Sequence, residues 1–183
     1  MSVCRVKAVL LLDTEGHRVY SKYYNVDAAL TTRVGQSTFE QVLTEKAAKM
    51  QTKVTETDIT LIESFTAVFK VFTDVSLYIL GDEQENELLL QSLLDTLSEA
   101  LDILYRGEFE KKNIVESLEL VMLAIDEMFE NGMVLCHDFQ TIIEKVLMKE
   151  GPIDPASMKG RKESALERAI NSAKESISKT FNR

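Results

Sequence analysis

The sequence predicts an α/β fold in which a five-stranded, mainly antiparallel sheet is flanked by helices. An apolar segment at 6–12 is followed closely by a β-rich segment at 18–24, and three more β-rich segments lie between residues 58 and 80. From Asn86 onward the apolar residues recur with a helical period instead. Strands joined by such short connections pair antiparallel, and helices with an apolar stripe need a sheet face to cover.

The first two strands are predicted to form a hairpin. Residues 6–12 are nearly all apolar, which indicates a strand buried on both faces, whereas residues 18–24 are rich in tyrosine and valine. The connection Asp13-Thr14-Glu15-Gly16 supplies turn residues, and its glycine can take a positive φ. His17, next to that glycine, is expected to be exposed to solvent.

A helix is predicted at 38–51, because Ser37-Thr38-Phe39-Glu40 matches a capping box in which the serine and the glutamate each bond a free backbone N–H. Residues 58–64 and 66–72 are rich in threonine, isoleucine, valine and phenylalanine and predict two strands joined by a tight turn. The last strand, Ser76–Leu80, completes the sheet.

Three further helices follow the sheet. The first ends at Arg106-Gly107, and the second runs from Ile114 to about Phe129 and stops at Asn131-Gly132. The third, Phe139–Met148, begins after Asp138 as its N-cap. One stripe of the first helix contains only leucines: Leu90, Leu93, Leu94, Leu97, Leu101 and Leu104.

Three units are predicted along the chain: a domain at 1–150, a Pro/Gly linker at 151–160, and a basic amphipathic C-terminal helix at 161–183. Both prolines of the chain lie in the linker. The last helix needs a surface to cover its apolar stripe, either on this chain or on another one. That stripe consists of Leu166, Ala169, Ile170, Ala173, Ile177 and Phe181.

Composition excludes several classes of protein. The formal net charge of −9 repels phosphate, so we expect no direct binding of nucleic acid or anionic lipid. Cys4 and Cys136 form at most one pair, and reduced thiols in the cytosol are the default. Lys70 and Asp74 interrupt the most apolar stretch, so we expect membrane association only through partners.

The order of these segments resembles the longin-type small chains of vesicle coats, and within them the zeta chains of coatomer, the COPI coat. The resemblance rests on Val6–Tyr24, Ile59–Glu63, Glu85–Leu88, Ala124–Met128 and Asn131-Gly132. It implies a longin-like fold and a non-enzymatic subunit without a cofactor. It also implies a cytoplasmic protein that pairs with the coatomer gamma subunit, a large helical solenoid, and contacts an Arf-type GTPase only indirectly. The pathway implied is Golgi-to-ER retrograde and intra-Golgi transport.

The sigma chains of clathrin adaptors are an alternative within the same class. They share the first part of the pattern and bind dileucine cargo signals, but they usually end soon after the third helix. The present chain departs from them at Phe109–Asn113, near the place where sigma chains form the dileucine pocket. We therefore do not transfer that pocket to this chain.

A partner interface is expected because the chain has more apolar surface than a lone domain of this kind hides. The second long helix is apolar on several faces, and two strands carry many aromatic residues. The residues predicted to meet the partner are Val19, Tyr20, Tyr23, Tyr24, Phe69, Phe72, Leu118, Met122, Ile125 and Phe129.

Three groups of polar residues were weighed as catalytic or metal sites. Cys136-His137-Asp138 contains the residue types of a thiol hydrolase, a function of a different class, but consecutive side chains point apart and a capped turn is the simpler interpretation. Asp126-Glu127 diverge on a helix. The acidic run 82–87 lacks the pattern of a calcium loop and suits a helix N-terminus. We expect no catalytic residue, metal or cofactor.

Overall fold

Five strands form one antiparallel sheet in the order β2-β1-β5-β4-β3 in the computed structural model, which describes residues 5–25, 28–50 and 56–148. The predicted five-stranded antiparallel sheet is confirmed, with strand ends within three residues of the expected ones. The strands are β1 (Val6–Asp13), β2 (Arg18–Tyr23), β3 (Thr57–Ile62), β4 (Phe65–Val71) and β5 (Val75–Asp82).

The central strand is β1, which pairs with β2 on one side and with β5 on the other. Apart from the half-buried Lys7, every residue of β1 is buried, which confirms the prediction of a strand covered on both faces. Val9 and Leu11 enter the core on one face of the sheet, whereas Leu10 and Leu12 enter the core on the other.

Helices cover both faces of the sheet, as predicted. Helix α1 (Arg33–Met50), preceded by a 3₁₀ turn at Ala28–Thr31, packs on the face that carries Leu10. The opposite face is covered by α2 (Glu87–Leu104), α4 (Leu118–Met128) and α5 (Phe139–Met148). Between them lie the short helix α3 (Lys111–Glu116) and a small hairpin of β6 (Phe129–Glu130) and β7 (Met133–Val134).

The ends of α2 and α5 are those predicted from the sequence. The side chain of Asn86 accepts hydrogen bonds from two backbone N–H groups of the first turn of α2. Gly107 follows that helix with a φ of 78°, in the left-handed region that glycine adopts freely. The Asp138 carboxylate accepts from the backbone N–H of Thr141 at 2.9 Å and caps α5.

Helix α1 corrects the prediction of its start. It begins at Arg33, five residues earlier than expected, so Ser37 lies inside the helix and the capping box is wrong. The hydroxyl of Thr32 accepts from the backbone N–H of Gly35 at 3.2 Å instead. Glu40, the presumed capping partner, is 2% exposed and points into the interior, where a charged group must find a partner.

The second long helix is also corrected, because two helices stand where one was expected. Ser117 separates α3 from α4 with a φ of −138° and a ψ of 47°, outside the helical region. Its backbone carbonyl accepts a hydrogen bond of 2.5 Å from the hydroxyl of Tyr105, which provides that group with a partner outside the helical ladder. Phe129, the expected last residue of the helix, is the first residue of β6.

The linker at 151–160 and the helix at 161–183 lie outside the described residues. Among the described helices, none is long and apolar enough to cross a membrane.

Candidate functional site: a partner-docking face

Four of the ten predicted interface residues lie in the interior of this chain. Tyr24 is 6% exposed, Phe129 is 1% exposed, and Phe69 and Ile125 are fully buried. Phe69 stacks on Tyr78, with ring centroids 5.5 Å apart. In this conformation these four side chains complete the two cores and offer little or no side-chain surface to a partner.

The other six predicted residues are at least partly accessible. Met122 is 44% exposed, and the other five are half-buried. They do not form one cluster, because the hydroxyl of Tyr23 donates to Glu40 at 2.8 Å on the α1 side, whereas Phe72 packs against Phe109 with centroids 4.8 Å apart. The half-buried residues that pack against the core shared with α2, α4 and α5 are Val19, Tyr20, Phe72 and Leu118.

One continuous surface joins β2 to α4, and we call it the β2–α4 face. It contains the half-buried Tyr20 and Lys22 of β2 and, spaced four residues apart on one side of α4, the half-buried Leu118 and the exposed Met122 and Asp126; the two elements are linked by Asp126, which pairs with Lys22 and lies close enough to Tyr20 to influence it. Lys22 Nζ lies 2.5 Å from a carboxylate oxygen of Asp126, an exposed ion pair that links the strand to the helix. Burial, and then the charge of Asp126, raises the pKa of the Tyr20 hydroxyl, so Tyr20 stays neutral at physiological pH.

The other side of β2 is held by a buried carboxylate. Arg18 contacts both carboxylate oxygens of Glu40, at 2.7 and 3.1 Å, and the hydroxyl of Tyr23 adds a third hydrogen bond. Burial, and then the Glu40 carboxylate, raises the pKa of Tyr23. As a result, β2 is an edge strand that is fixed to a helix on each face, while its outer edge has no strand beside it among the described residues.

An open groove of about 520 Å³ lies at the end of the β2–α4 face. We call it the acidic groove, because its charged side chains are three carboxylates and one lysine. It is lined by Lys22–Tyr24, Asp126-Glu127, Phe129–Asn131 and Leu135. Leu135 is 56% exposed. The buried hydroxyl of Tyr24 has no hydrogen-bond partner among the described residues.

The corner that corresponds to the departure from sigma chains is closed by its own side chains. Phe109 is 4% exposed and packs against Tyr105 with centroids 5.3 Å apart, in addition to Phe72. The ammonium of Lys111 lies 2.8 Å from the Asp13 carboxylate, and the backbone N–H of Lys111 donates to the Asp74 carboxylate at 2.9 Å. This corner is therefore occupied by internal contacts between two turns and α3.

Asp13 has a shifted pKa as a result of these contacts. Its burial acts to raise the pKa, but hydrogen bonds from Lys111 and from the backbone N–H groups of His17 and Glu15 lower it overall. The pKa of Lys111 is raised in turn by the Asp13 carboxylate. The predicted exposure of His17 is confirmed, since its side chain is 69% exposed.

The side chains of Cys136-His137-Asp138 engage three different partners. His137 Nε2 lies 2.9 Å from the hydroxyl of Ser92, the Asp138 carboxylate caps α5, and the Cys136 thiol lies 3.6 Å from the carbonyl of Asp138. This geometry lacks the chain of hydrogen bonds from thiol to imidazole to carboxylate that a catalytic triad needs.

The two other candidate groups make structural contacts. Asp126 binds Lys22, and Glu127 lies 3.6 Å from Lys145 of α5. In the acidic run the capping role falls to Asn86. Within residues 5–25, 28–50 and 56–148, no group of three or more His, Cys, Asp and Glu side chains is placed to hold a metal ion.

Several residues of these sites were missed by the sequence analysis. The pairs Lys22–Asp126 and Lys111–Asp13 join residues about a hundred positions apart, so no local pattern could reveal them. Glu40 carried a usable signal, because it lies one residue after a core position, Phe39, on a helix that covers a sheet.

Comparison with known proteins defines the class of this fold. The family model for the clathrin adaptor complex small chain matches residues 5–151. The chain therefore belongs to the clathrin adaptor small-chain family. A homology model of the full-length AP-3 complex contains a chain with the same longin-like fold, at a TM-score of 0.61 and 16% identity, covering 77% of this chain and 90% of that one.

Within this family the chain is similar to coatomer zeta subunits. It is 37% identical to coatomer subunit zeta-3 of Arabidopsis thaliana over 176 residues, which cover 96% of this chain and 93% of the relative. It is 33% identical to coatomer subunit zeta-1 of Homo sapiens, with 96% of this chain and 92% of the relative covered.

Proposed function

We propose that this chain is a non-enzymatic small subunit of the COPI vesicle coat. The observation that carries the proposal is the similarity to coatomer zeta subunits, which extends over 96% of the chain and so includes most of the segment beyond α5. In this role it pairs with the large gamma subunit and supports Golgi-to-ER retrograde and intra-Golgi transport.

The β2–α4 face is the surface that we propose for the large subunit. It combines an edge strand with accessible side chains, Tyr20 and Met122, and the strand is fixed on both faces so that binding does not require it to reorganise. Interfaces of obligate type bury about 2,000 Å² or more, so the face supplies the centre of a larger contact. At roughly 25 cal/mol per Å² of apolar area, such burial exceeds the cost of association only when the surfaces are complementary.

Co-expression with the trunk of a gamma subunit tests this pairing. We expect one gel-filtration peak that contains both chains, whereas two separate peaks would refute the pairing. Met122→Lys places a charge on the proposed face without removing a core side chain, since Met122 is 44% exposed. We expect this variant to elute as two separate gel-filtration peaks, one for each chain. Val34→Lys, on α1 and 79% exposed, is the matched control and should leave the complex intact. An intact complex with Met122→Lys would refute the placement of the interface.

The cellular role requires that the chain is cytoplasmic and lies on Golgi membranes and COPI vesicles only through its coat partners. In a flotation assay with liposomes, we expect the isolated chain to remain unbound and the complete coat, loaded with an Arf-type GTPase, to float. Binding of the isolated chain to the liposomes or to the GTPase would contradict an indirect contact.

A sigma-type role in reading dileucine cargo is the second candidate, and the match to the adaptor small-chain model favours it. Internal packing of Phe72, Phe109 and Tyr105 at the corner argues against an open dileucine pocket there. Calorimetric titration with a dileucine peptide separates the two roles, because a zeta-type chain should show no binding and a sigma-type chain should bind. A leucine-to-alanine peptide serves as the control.

The non-enzymatic assignment has its own measurement. A thiol nucleophile is activated by a lowered pKa, so the alkylation rate of Cys136 at neutral pH should match that of a free cysteine or fall below it. Rapid alkylation that is lost in His137→Ala would instead favour the thiol hydrolase.

A further inference from the structure

We propose that the C-terminal segment Leu166–Phe181 docks in the acidic groove of the same chain. The inference concerns the chain alone and does not rest on its role in a coat. It combines the position at which the described chain ends, the charge of the groove and the pattern of the segment.

The described chain ends beside the groove. Lys145, in the last turn of α5, lies 3.6 Å from Glu127, which lines the groove, and α5 ends at Met148. Seventeen residues lie between Met148 and Leu166, and at about 3.3–3.6 Å per residue they span up to roughly 60 Å. The connection is therefore long enough to bring the segment back to the groove in either direction.

The charges of the groove and of the segment are complementary. The groove contains Asp126, Glu127 and Glu130; Lys22 pairs with Asp126, and Lys145 of α5 lies 3.6 Å from Glu127, so three carboxylates face two cations and the groove keeps one excess negative charge. Residues 159–183 carry seven Lys or Arg and three Asp or Glu, of which Leu166–Phe181 itself holds three and two, so the segment has a small positive excess and most of the basic residues flank it. Because these groups are near the surface, the attraction is expected to weaken as salt screens it.

The groove also has features that an amphipathic helix would satisfy. Leu135 is 56% exposed at its rim, and Phe129 and Tyr24 form its base. The apolar stripe of the segment supplies the matching surface, since Ile170 and Ile177 are two helical turns apart.

A single fluorophore tests the docking in the full chain, which contains no tryptophan. In Ile177→Trp, we expect emission at short wavelength and acrylamide quenching several-fold weaker than in a synthetic peptide 161–183 with the same tryptophan. In the control Ser176→Trp, one residue away from the stripe, quenching should be as strong as in the peptide.

Two changes in the groove locate the contact. Leu135→Asp and Glu130→Lys alter exposed side chains, and each, combined with Ile177→Trp, should restore strong quenching without lowering the melting temperature. Val34→Asp on α1 is the matched control and should leave the tryptophan protected. A tryptophan as accessible as in the peptide would overturn the proposal. Protection that disappears on dilution would assign the groove to a second copy, and protection that ignores both groove variants would overturn the assignment to the groove.

Discussion

Replacing Arg18 by leucine removes the cation that faces the buried carboxylate of Glu40. The Glu40 side chain is 3% exposed, and without Arg18 the hydrogen bond of 2.8 Å from Tyr23 is the only one that its carboxylate keeps among the described residues. Removing one partner of a buried ion pair costs about 3–5 kcal/mol, because the other charge is left unpaired. The Arg18 side chain is itself 26% exposed, so water weakens the pair and we expect the lower value, about 3 kcal/mol.

The double variant Arg18→Leu/Glu40→Leu removes the charge together with its partner. Replacing a buried pair by apolar groups is often close to neutral, so the double variant should be more stable than Arg18→Leu alone. The remaining cost is the half-buried hydroxyl of Tyr23, which loses its acceptor and contributes about 1 kcal/mol.

Urea unfolding followed by far-ultraviolet circular dichroism measures both variants. At about 2–4 °C per kcal/mol for a chain of this size, Arg18→Leu should also lower Tm by roughly 6–12 °C. Arg33→Leu, which removes an exposed cation from the first turn of α1, is the control and should change stability by less than about 0.5 kcal/mol. The reasoning is refuted if the double variant is no more stable than Arg18→Leu alone.

Three further variants probe the core, the corner and the small hairpin. Leu97→Asp places an unpaired charge at a fully buried position and should abolish cooperative thermal unfolding at neutral pH. Lys111→Met tests a pH dependence. The folded pKa of Asp13 is lowered, so the stability that its ionised carboxylate gives to the fold is present above pH ~4 and is lost as pH falls through the folded pKa. The stability difference between Lys111→Met and the parent chain, measured by urea unfolding, should therefore narrow on acidification; a constant difference would exclude this linkage. Gly132→Ala should destabilise far more than Gly107→Ala in the same assay. Both glycines have a φ near 80°, but a Cβ at Gly132 would lie 2.3 Å from a backbone oxygen of β1, whereas at Gly107 it meets nothing within 4 Å.

The sheet and most helix ends could be predicted because local chemistry determines them. The apolar residues of β1 are stable only when helices cover both faces of the strand. The side chains of Asn86 and Asp138 accept hydrogen bonds from backbone N–H groups no more than three residues away in sequence. Patterns that span so few residues can be recognised in a sequence.

The start of α1 could not be predicted correctly because a local capping rule competes there with contacts between residues that are distant in sequence. Ser37 and Glu40 have the spacing of a capping box, yet Glu40 bonds Arg18 and Tyr23, which are far away in sequence. Propensity and capping contribute about 1 kcal/mol, less than a buried charge loses without its partner. Tertiary pairing therefore decides where the helix begins.

Which of the proposed interface residues are accessible could be predicted only in part, for a related reason. Periodicity identifies apolar positions of α4, but it cannot distinguish Ile125, which fills the chain's own core, from Met122, which is exposed one turn away. That distinction depends on where α2 and α5 lie, and only the folded chain determines it.

The strand order has a consequence for folding during synthesis on the ribosome. β1 and β2 are synthesised early, but the other neighbour of β1 is β5. Asp13 therefore cannot pair with Val75, nor Val6 with Gly81, until β5 has been synthesised. Until more than sixty later residues have been synthesised, the central strand of the sheet has one unpaired edge and lacks the helix layer that α2, α4 and α5 form over its second face. We expect nascent chains that are stalled between β2 and β5 to be bound by chaperones, and to aggregate when chaperones are absent.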